Sequence, residues 1–180
     1  MKKILVEITG IVPLLMHRFA EESAEDAVKI NTGGGVDYSK ETVKSLYLLD
    51  DKKTLYQPST HIEGAMLKAS SNYKIVGRGK KTYKDLVKSA VLVSPDAIVH
   101  KNQNWTVDKR AVIIGRARIM RERPKLTEWG LEFELHLLDD QLKVEVVNQI
   151  LIYAGQYVGI GDYRPKFGRF IVSKFEEVKV

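Results

Sequence analysis

The chain has 180 residues, of which 44% are hydrophobic, so it is long enough for one globular domain with its own core. It carries 29 lysines and arginines against 23 aspartates and glutamates, a formal net charge of +6, and no cysteine. The absence of cysteine excludes a disulfide framework, thiolate catalysis and thiolate zinc sites. The moderate positive charge is compatible with a polyanionic partner but does not establish one.

The first residues predict a core strand. The segment from Lys3 to Ile11 is rich in aliphatic and β-branched residues, and Pro13 ends it. Glu7 interrupts the apolar run before a signal sequence or a membrane span could form. We therefore expect a soluble, leaderless, cytoplasmic protein with no membrane partner.

Two neighbouring segments have opposite charge. Residues 20–53 are acidic and contain the run Gly33–Gly35, which predicts a solvated loop or helix segment with a glycine hinge. Residues 74–112 are interpreted as a basic, β-rich insertion within a single domain that spans residues 1–180. Four basic residues in or just before this region are candidate nucleic-acid contacts: Lys68, Arg78, Lys80 and Lys81.

Two helices and a long hairpin complete the predicted elements. A helix from about His61 to Tyr73 follows a possible cap at Ser59 or Thr60, with Glu63 in its first turn. Strict alternation of apolar and polar residues over 129–137 predicts a half-buried strand, which we pair with residues 113–123 as a hairpin. The pair Asp139-Asp140 could cap a second helix, which reaches about Val158, and a last strand follows from Phe167 to Val180.

This order of elements is typical of an α+β fold. It matches a ferredoxin-like (RRM-like) split βαβ core, in which an antiparallel sheet packs against two helices, with a β-rich insertion between the first helix and the long hairpin.

The loop from Gly159 to Phe170 combines residue types that suit a nucleic-acid backbone. It is not a Walker loop, because no Gly-Lys-Ser/Thr follows and the loop joins a helix to a strand. A tight connection with solvated charges remains the alternative interpretation. The candidate binding residues are glycines that permit close approach, basic residues that pair with phosphates and aromatic residues that stack: Gly159, Gly161, Gly168, Arg164, Lys166, Arg169, Tyr163 and Phe167.

A second basic segment lies in the predicted hairpin. Arg116 and Arg118 would project from one face of a strand, as would Arg121 and Arg123 if the strand slips by one residue between them. Such a row could follow a chain of phosphates, and arginine binds phosphate better than lysine because its guanidinium can donate two parallel hydrogen bonds. The alternative is a charged hairpin whose arginines only keep it soluble.

The four histidines are His17, His61, His100 and His136, and no two have the close spacing of metal ligands. We therefore expect no metal and no cofactor. His17 or His61 could act as a general base on a ribose hydroxyl, but we favour the interpretation that both are ordinary packing histidines.

Three features together resemble a known family. They are the segment from Gln57 to Ala65 (QPSTHIEGA), the glycine-rich loop with its ending FGRF, and the order of elements. The chain resembles the RAMP superfamily of CRISPR-associated proteins, especially the backbone subunits that hold guide RNA. The segment from Arg118 to Phe170 also resembles uncharacterised proteins of phages and prophages. The resemblance implies an RNA-recognition-like fold that binds single-stranded nucleic acid, often RNA, with copies stacked side by side.

The leading hypothesis is thus a non-enzymatic protein that binds single-stranded nucleic acid, with RNA favoured over DNA. It would act as a homo-oligomer or as a subunit of a ribonucleoprotein complex, in CRISPR antiviral defence or in phage nucleic-acid metabolism. Two alternatives stay open. One is a metal-independent RAMP-type endoribonuclease that uses a histidine, and the other is an assembly domain that binds no nucleic acid.

Overall fold

The computed structural model describes residues 1–19, 42–114 and 117–178. Most of the predicted acidic segment, including Gly33–Gly35, lies outside these residues, as does Arg116. The elements are β1 (Lys2–Gly10), β2 (Leu14–Leu15), β3 (Tyr56–Pro58), α1 (Ser59–Ser70), α2 (Lys84–Ala90), β4 (Val91–Ser94), β5 (Ala97–Val99), β6 (Thr106–Ile114), β7 (Ala117–Leu126), β8 (Gly130–Leu137), α3 (Val144–Tyr153), a π-helical continuation (Ala154–Val158), and β9 (Phe170–Val178).

The main sheet has four antiparallel strands in the order β4-β8-β1-β9. With α1 between β1 and β4, and α3 between β8 and β9, the order along the chain is β-α-β-β-α-β. This is the split βαβ arrangement, so the predicted ferredoxin-like α+β fold is confirmed.

The core lies between one face of this sheet and the two helices α1 and α3. Alternate residues of β1, namely Ile4, Val6 and Ile8, point into it and are at most 3% exposed. Met66 of α1 and Ile150 of α3 belong to the same buried cluster. The side-chain period of two along β1 therefore assigns one face of the sheet to the core and the other to solvent.

The open face of the sheet carries paired charges. Lys3 forms an ion pair with Glu134 at 2.8 Å, and Lys101 lies between Glu7 and Glu132 and pairs with both. These contacts neutralise much of the charge on the open face and leave several carboxylates there.

The predicted hairpin between residues 113–123 and 129–137 is wrong. The strand β8 pairs with β1 and β4, while β7 pairs with β6 and β2 in a separate three-stranded sheet. Consequently the extra strands β5, β6 and β7 lie between the second and third strands of the core, β4 and β8. The alternation of residues 130–137 predicts a strand with one buried face, but it does not determine which strands pair with it.

The helix starts also differ from the prediction. Neither α1 nor α3 has a side-chain cap, and α1 begins directly after Pro58. The Glu63 carboxylate accepts a hydrogen bond from the backbone N–H of Val93 at 3.2 Å, so it ties α1 to β4. Asp139 accepts from the backbone N–H of Gln141, which forms a turn ahead of α3.

The π-helical continuation of α3 lies very close to β9. A Cβ at Gly155 would come within 2.3 Å of the backbone oxygen of Phe170, so only glycine allows this approach. This contact fixes where the following loop begins. Within residues 1–19, 42–114 and 117–178, no helix is long and apolar enough to cross a membrane.

Candidate nucleic-acid interface

The glycine-rich loop lies at the end of the sheet where β1 finishes. Backbone hydrogen bonds fasten it to the segment after β1: the N–H of Gly168 donates to Pro13, and the N–H of Asp162 donates to Leu15, each at 2.9 Å. The N–H of Ile160 donates to the carbonyl of Gly168, also at 2.9 Å, and closes the loop on itself. The loop is therefore held at both sides by main-chain contacts.

The glycines of the loop serve its own packing. Gly168 has a φ of +73°, and a Cβ there would lie 1.8 Å from the carbonyl oxygen of Ile160. Gly161 has a φ of +77°, and a Cβ there would meet the backbone oxygen of Leu15 at 2.6 Å. The close approach predicted at these glycines, and at Gly159, is thus made by the chain's own backbone.

The residues between these glycines point outward. Tyr163 is 51% exposed and has a φ of +57°, a conformation that non-glycine residues rarely adopt. Arg164 and Lys166 are exposed, and neither forms an ion pair with a carboxylate in the described part of the chain. The tip of the loop thus offers one ring and two cations to solvent.

The structure adds Arg110, a residue that the sequence analysis missed. Its guanidinium lies over the ring of Phe167, 4.6 Å from the centroid, and over the ring of Tyr163 at 5.3 Å. Asp108 binds the same guanidinium through both carboxylate oxygens, at 2.5 and 2.6 Å. This pairing lowers the pKa of Asp108 and raises the pKa of Arg110. Only the alternation of Asp108 and Arg110 along β6 signals the pair in the sequence.

Two of the predicted arginines lie on the side of the β6–β7 ribbon that faces the loop. Arg121 is directly opposite Arg110, and Arg123 is opposite Asp108, so these four positions share one face. Arg123 donates to Asp162 of the loop at 3.0 Å, and its side chain is only 13% exposed. Arg123 therefore joins the ribbon to the loop.

The other two predicted arginines are not placed with this group. Arg118 lies in β7 opposite Ile113, and Arg116 lies outside the described residues. The register of the two strands is continuous through Ile119 and Met120, so the expected slip is absent.

His61, in the first turn of α1, lies near the loop. It is half-buried, its Nδ1 contacts the side-chain amide of Gln57, and its ring packs edge-on against Tyr47 at 5.4 Å. Burial lowers the pKa of His61, and the positive charge of Arg164 lowers it further. The lowered pKa favours the neutral imidazole near pH 7.

Tyr47 connects His61 to the segment after β2. Its hydroxyl donates to the backbone oxygen of His17 at 3.4 Å. Burial raises the pKa of Tyr47, the neighbouring Tyr56 raises it further, and Arg18 acts in the opposite direction. Tyr47 thus contacts the ring of His61 and the backbone of His17, the two candidate catalytic histidines.

The remaining histidines lie elsewhere. His100 is 2% exposed, its Nε2 faces the side-chain oxygen of Gln57 at 3.4 Å, and burial lowers its pKa to about 4. His136 lies on the open face of the sheet, 3.3 Å from Glu134. Neither imidazole reaches the loop.

The basic residues before β4 form a separate group. Arg78 donates to the side chain of Gln141, just ahead of α3, at 2.7 Å. Lys68 is in the last turn of α1, and Lys80 and Lys81 are exposed beside Arg78 in sequence. This group lies toward the end of the core where β1 begins, whereas the glycine-rich loop lies where β1 ends. The structure therefore divides the predicted site residues between two ends of the molecule.

The chain is similar in structure to a chain of the cryo-EM structure of the type III-B Cmr-beta bound to cognate target RNA. The TM-score is 0.64 at 12% identity, and the match covers 99% of this chain and 61% of that one. At this identity the match shows that the two chains share a fold. A CRISPR protein from Archaeoglobus fulgidus matches with a TM-score of 0.45 at 16% identity, over 99% of this chain and 65% of that one.

This shared fold agrees with the architecture that the family resemblance implies. The chain spans about three fifths of the length of the Cmr-beta chain that it matches. No protein-family model and no curated protein matches the sequence.

Proposed function

We propose that this chain binds single-stranded nucleic acid, RNA in preference to DNA, through a surface that we name the loop interface. The observation that carries the proposal is the pair of exposed cations at the loop tip beside a half-exposed tyrosine ring. Cations track the phosphates of a single strand, and an aromatic ring stacks on its bases. The loop interface consists of Arg110, Tyr163, Arg164, Lys166 and Phe167.

Arg110 supports the proposal by holding the rings of the loop in place. Asp108 neutralises the charge of its guanidinium, which packs on both aromatic rings of the loop interface. A cation over an aromatic face stabilises the arrangement by about 0.5–1 kcal/mol at an exposed site. Tyr163 is thus held in position before any ligand arrives, which reduces the entropy lost on binding.

The open face of the sheet is the other surface on which a ferredoxin-like fold could hold a strand. Here Glu7, Glu132 and Glu134 lie on that face. Carboxylates repel phosphates, and their lysine partners are already engaged in ion pairs. The charges therefore favour the loop interface over the open face.

We further propose that the chain works as a subunit of a CRISPR-associated ribonucleoprotein. Two observations support this: the fold that the chain shares with a Cmr-beta chain, and the description of that Cmr-beta structure as bound to cognate target RNA. Side-by-side assembly of several copies along one strand is part of the same proposal.

Binding of labelled single-stranded RNA, single-stranded DNA and duplex DNA tests the proposal by fluorescence anisotropy. The double variant Arg164→Gln/Lys166→Gln should bind single-stranded RNA more weakly than the wild type, because it loses two phosphate contacts. The control Lys3→Gln/Lys174→Gln removes the same charge from the sheet away from the loop and should bind as the wild type does. Equal affinity of the loop variant and the wild type would contradict the proposal.

The half-buried His61, whose Nδ1 contacts Gln57 and whose pKa is lowered by burial and by the charge of Arg164, favours a second candidate function, a metal-independent endoribonuclease. His61 would accept the proton of a ribose 2′-hydroxyl, and the 2′-oxygen would attack the adjacent phosphorus. A 2′,3′-cyclic phosphate forms, and the 5′-oxygen leaves with a proton from water. Arg164 would stabilise the negative charge that develops on the phosphate.

A denaturing gel separates the two candidates. Under the first, radiolabelled RNA stays intact after incubation with the protein. Under the second, the RNA is cut, His61→Asn or His17→Asn abolishes the cutting, and His136→Asn, on the open sheet face, leaves it unchanged.

A further inference from the structure

Three tyrosines form an aromatic cluster on the helical side of the molecule. The rings of Tyr153 and Tyr157 are 4.6 Å apart and tilted by 39°, and Tyr73 packs edge-on against Tyr153 at 6.0 Å. The hydroxyl of Tyr73 donates to the backbone oxygen of Gln149 in α3 at 3.1 Å. Tyr157 is 60% exposed, so the cluster presents ring surface to solvent.

Tyr73 also begins a short basic hairpin, which we define as residues 73–83. The N–H of Tyr83 donates to the carbonyl of Tyr73, and the N–H of Ile75 donates to that of Lys81, each at 2.9 Å. The hairpin contains no aspartate or glutamate, and its four cations are exposed: Lys74, Arg78, Lys80 and Lys81.

The tyrosine cluster lies between the two basic groups. At one side it continues through Tyr73 into the basic hairpin, which reaches the turn before α3 through the contact of Arg78 with Gln141. At the other side Tyr157 is next but one to Gly159, where the glycine-rich loop begins. The helical segment from Val144 to Val158 is about 20 Å long at 1.5 Å per residue. The cluster thus bridges part of the distance between the loop interface and the hairpin.

We propose that the tyrosine cluster and the basic hairpin are a second contact for the strand that the loop interface holds. Bases stack on Tyr157 and Tyr153, and phosphates bind the cations of the hairpin. This inference rests on the proposed function and specifies its ligand as a strand long enough to run along the helical side. The two separate groups of predicted basic residues would then bind the two ends of one strand.

The chemistry of this surface favours nucleic acid over an acidic polypeptide. Exposed tyrosine rings beside cations match the alternation of flat bases and charged phosphates in a single strand. An acidic polypeptide would pair with the lysines but would not need the ring of Tyr157. The role of that ring therefore distinguishes the two ligands.

The test compares single-stranded RNAs of about six and about twenty nucleotides. Tyr157→Ala should weaken binding of the long strand by about tenfold, because a stacking contact is lost, and leave binding of the short strand unchanged. Tyr157→Phe keeps the ring and should bind both strands as the wild type does. Lys80→Gln/Lys81→Gln should also weaken only the long strand, which gives a second readout independent of the tyrosine.

The outcomes separate this inference from the function on which it rests. If the wild type binds neither strand, the proposed function fails and the second contact fails with it. If the wild type binds both strands, but Tyr157→Ala and Lys80→Gln/Lys81→Gln keep full affinity for the long one, only the second contact is contradicted. Loss of long-strand binding in the lysine variant with full binding in Tyr157→Ala contradicts stacking and indicates a purely ionic surface.

Discussion

Acidification should destabilise this protein through one buried imidazole, that of His100. The residue is 2% exposed, and its Nε2 makes a weak contact with the side-chain oxygen of Gln57 at 3.4 Å. Burial lowers its pKa from 6.5 to about 4, since the charged form would lose its hydration. The unfolded chain therefore takes up this proton at a higher pH than the folded chain does.

The sign and size of the effect follow from this difference. Stability is complete above the unfolded pKa of 6.5 and is lost as the pH falls toward the folded pKa of about 4. The difference between these two values corresponds to about 3 kcal/mol of unfolding free energy. That is a large fraction of the stability of a typical domain.

Urea unfolding at several values between about pH 7 and about pH 4 measures this loss. The variant His100→Gln cannot take up the proton, so its stability should fall less steeply than that of the wild type over the same range. Identical pH dependence in the wild type and His100→Gln would refute the reasoning.

Two further changes test the loop and its support. Gly168→Ala should destabilise the fold by at least about 2 kcal/mol, because its φ is +73° and its Cβ would overlap the oxygen of Ile160; thermal unfolding measures this. Gly64→Ala, in the middle of α1 with no atom within 4 Å of its Cβ, should instead stabilise by about 0.5–1 kcal/mol. Arg110→Gln should weaken RNA binding severalfold, since it removes the cation that packs on the rings of Tyr163 and Phe167. It should also make the fluorescence of Tyr163 easier to quench. Unchanged affinity would exclude Arg110 from the loop interface.

The sequence predicts those parts of the fold that depend on local periodicity. The alternation in β1 and β8 and the apolar stripe of α3 are strong enough to indicate a ferredoxin-like order. Strand pairing is a different matter, because alternation assigns a face to a strand but does not choose its neighbours. For this reason the sequence pattern predicts a pairing of residues 113–123 with β8, whereas β6 and β2 are the partners of β7 in the structure.

The sequence likewise predicts only part of the candidate site, because local patterns do not determine which distant residues meet. The composition of the glycine-rich loop is visible in the sequence, and the structure places two of its three predicted cations, Arg164 and Lys166, at an exposed tip, whereas Arg169 is half-buried. Arg110 is 57 residues before Phe167 in the chain, and only the tertiary fold brings them together. Likewise, the basic residues near Arg78 resemble the loop arginines in charge, but in the fold they lie toward the opposite end of β1.

The salt dependence of RNA binding tests the central claim, that the loop interface holds phosphates, most directly. The wild type and Arg164→Gln/Lys166→Gln are titrated with the same single-stranded RNA over a series of salt concentrations. The slope of log affinity against log salt should become shallower by about 1.4 in the variant, because each lost phosphate contact on a single strand contributes about 0.7. An unchanged slope would show that these two cations do not contact the strand, and would contradict the account.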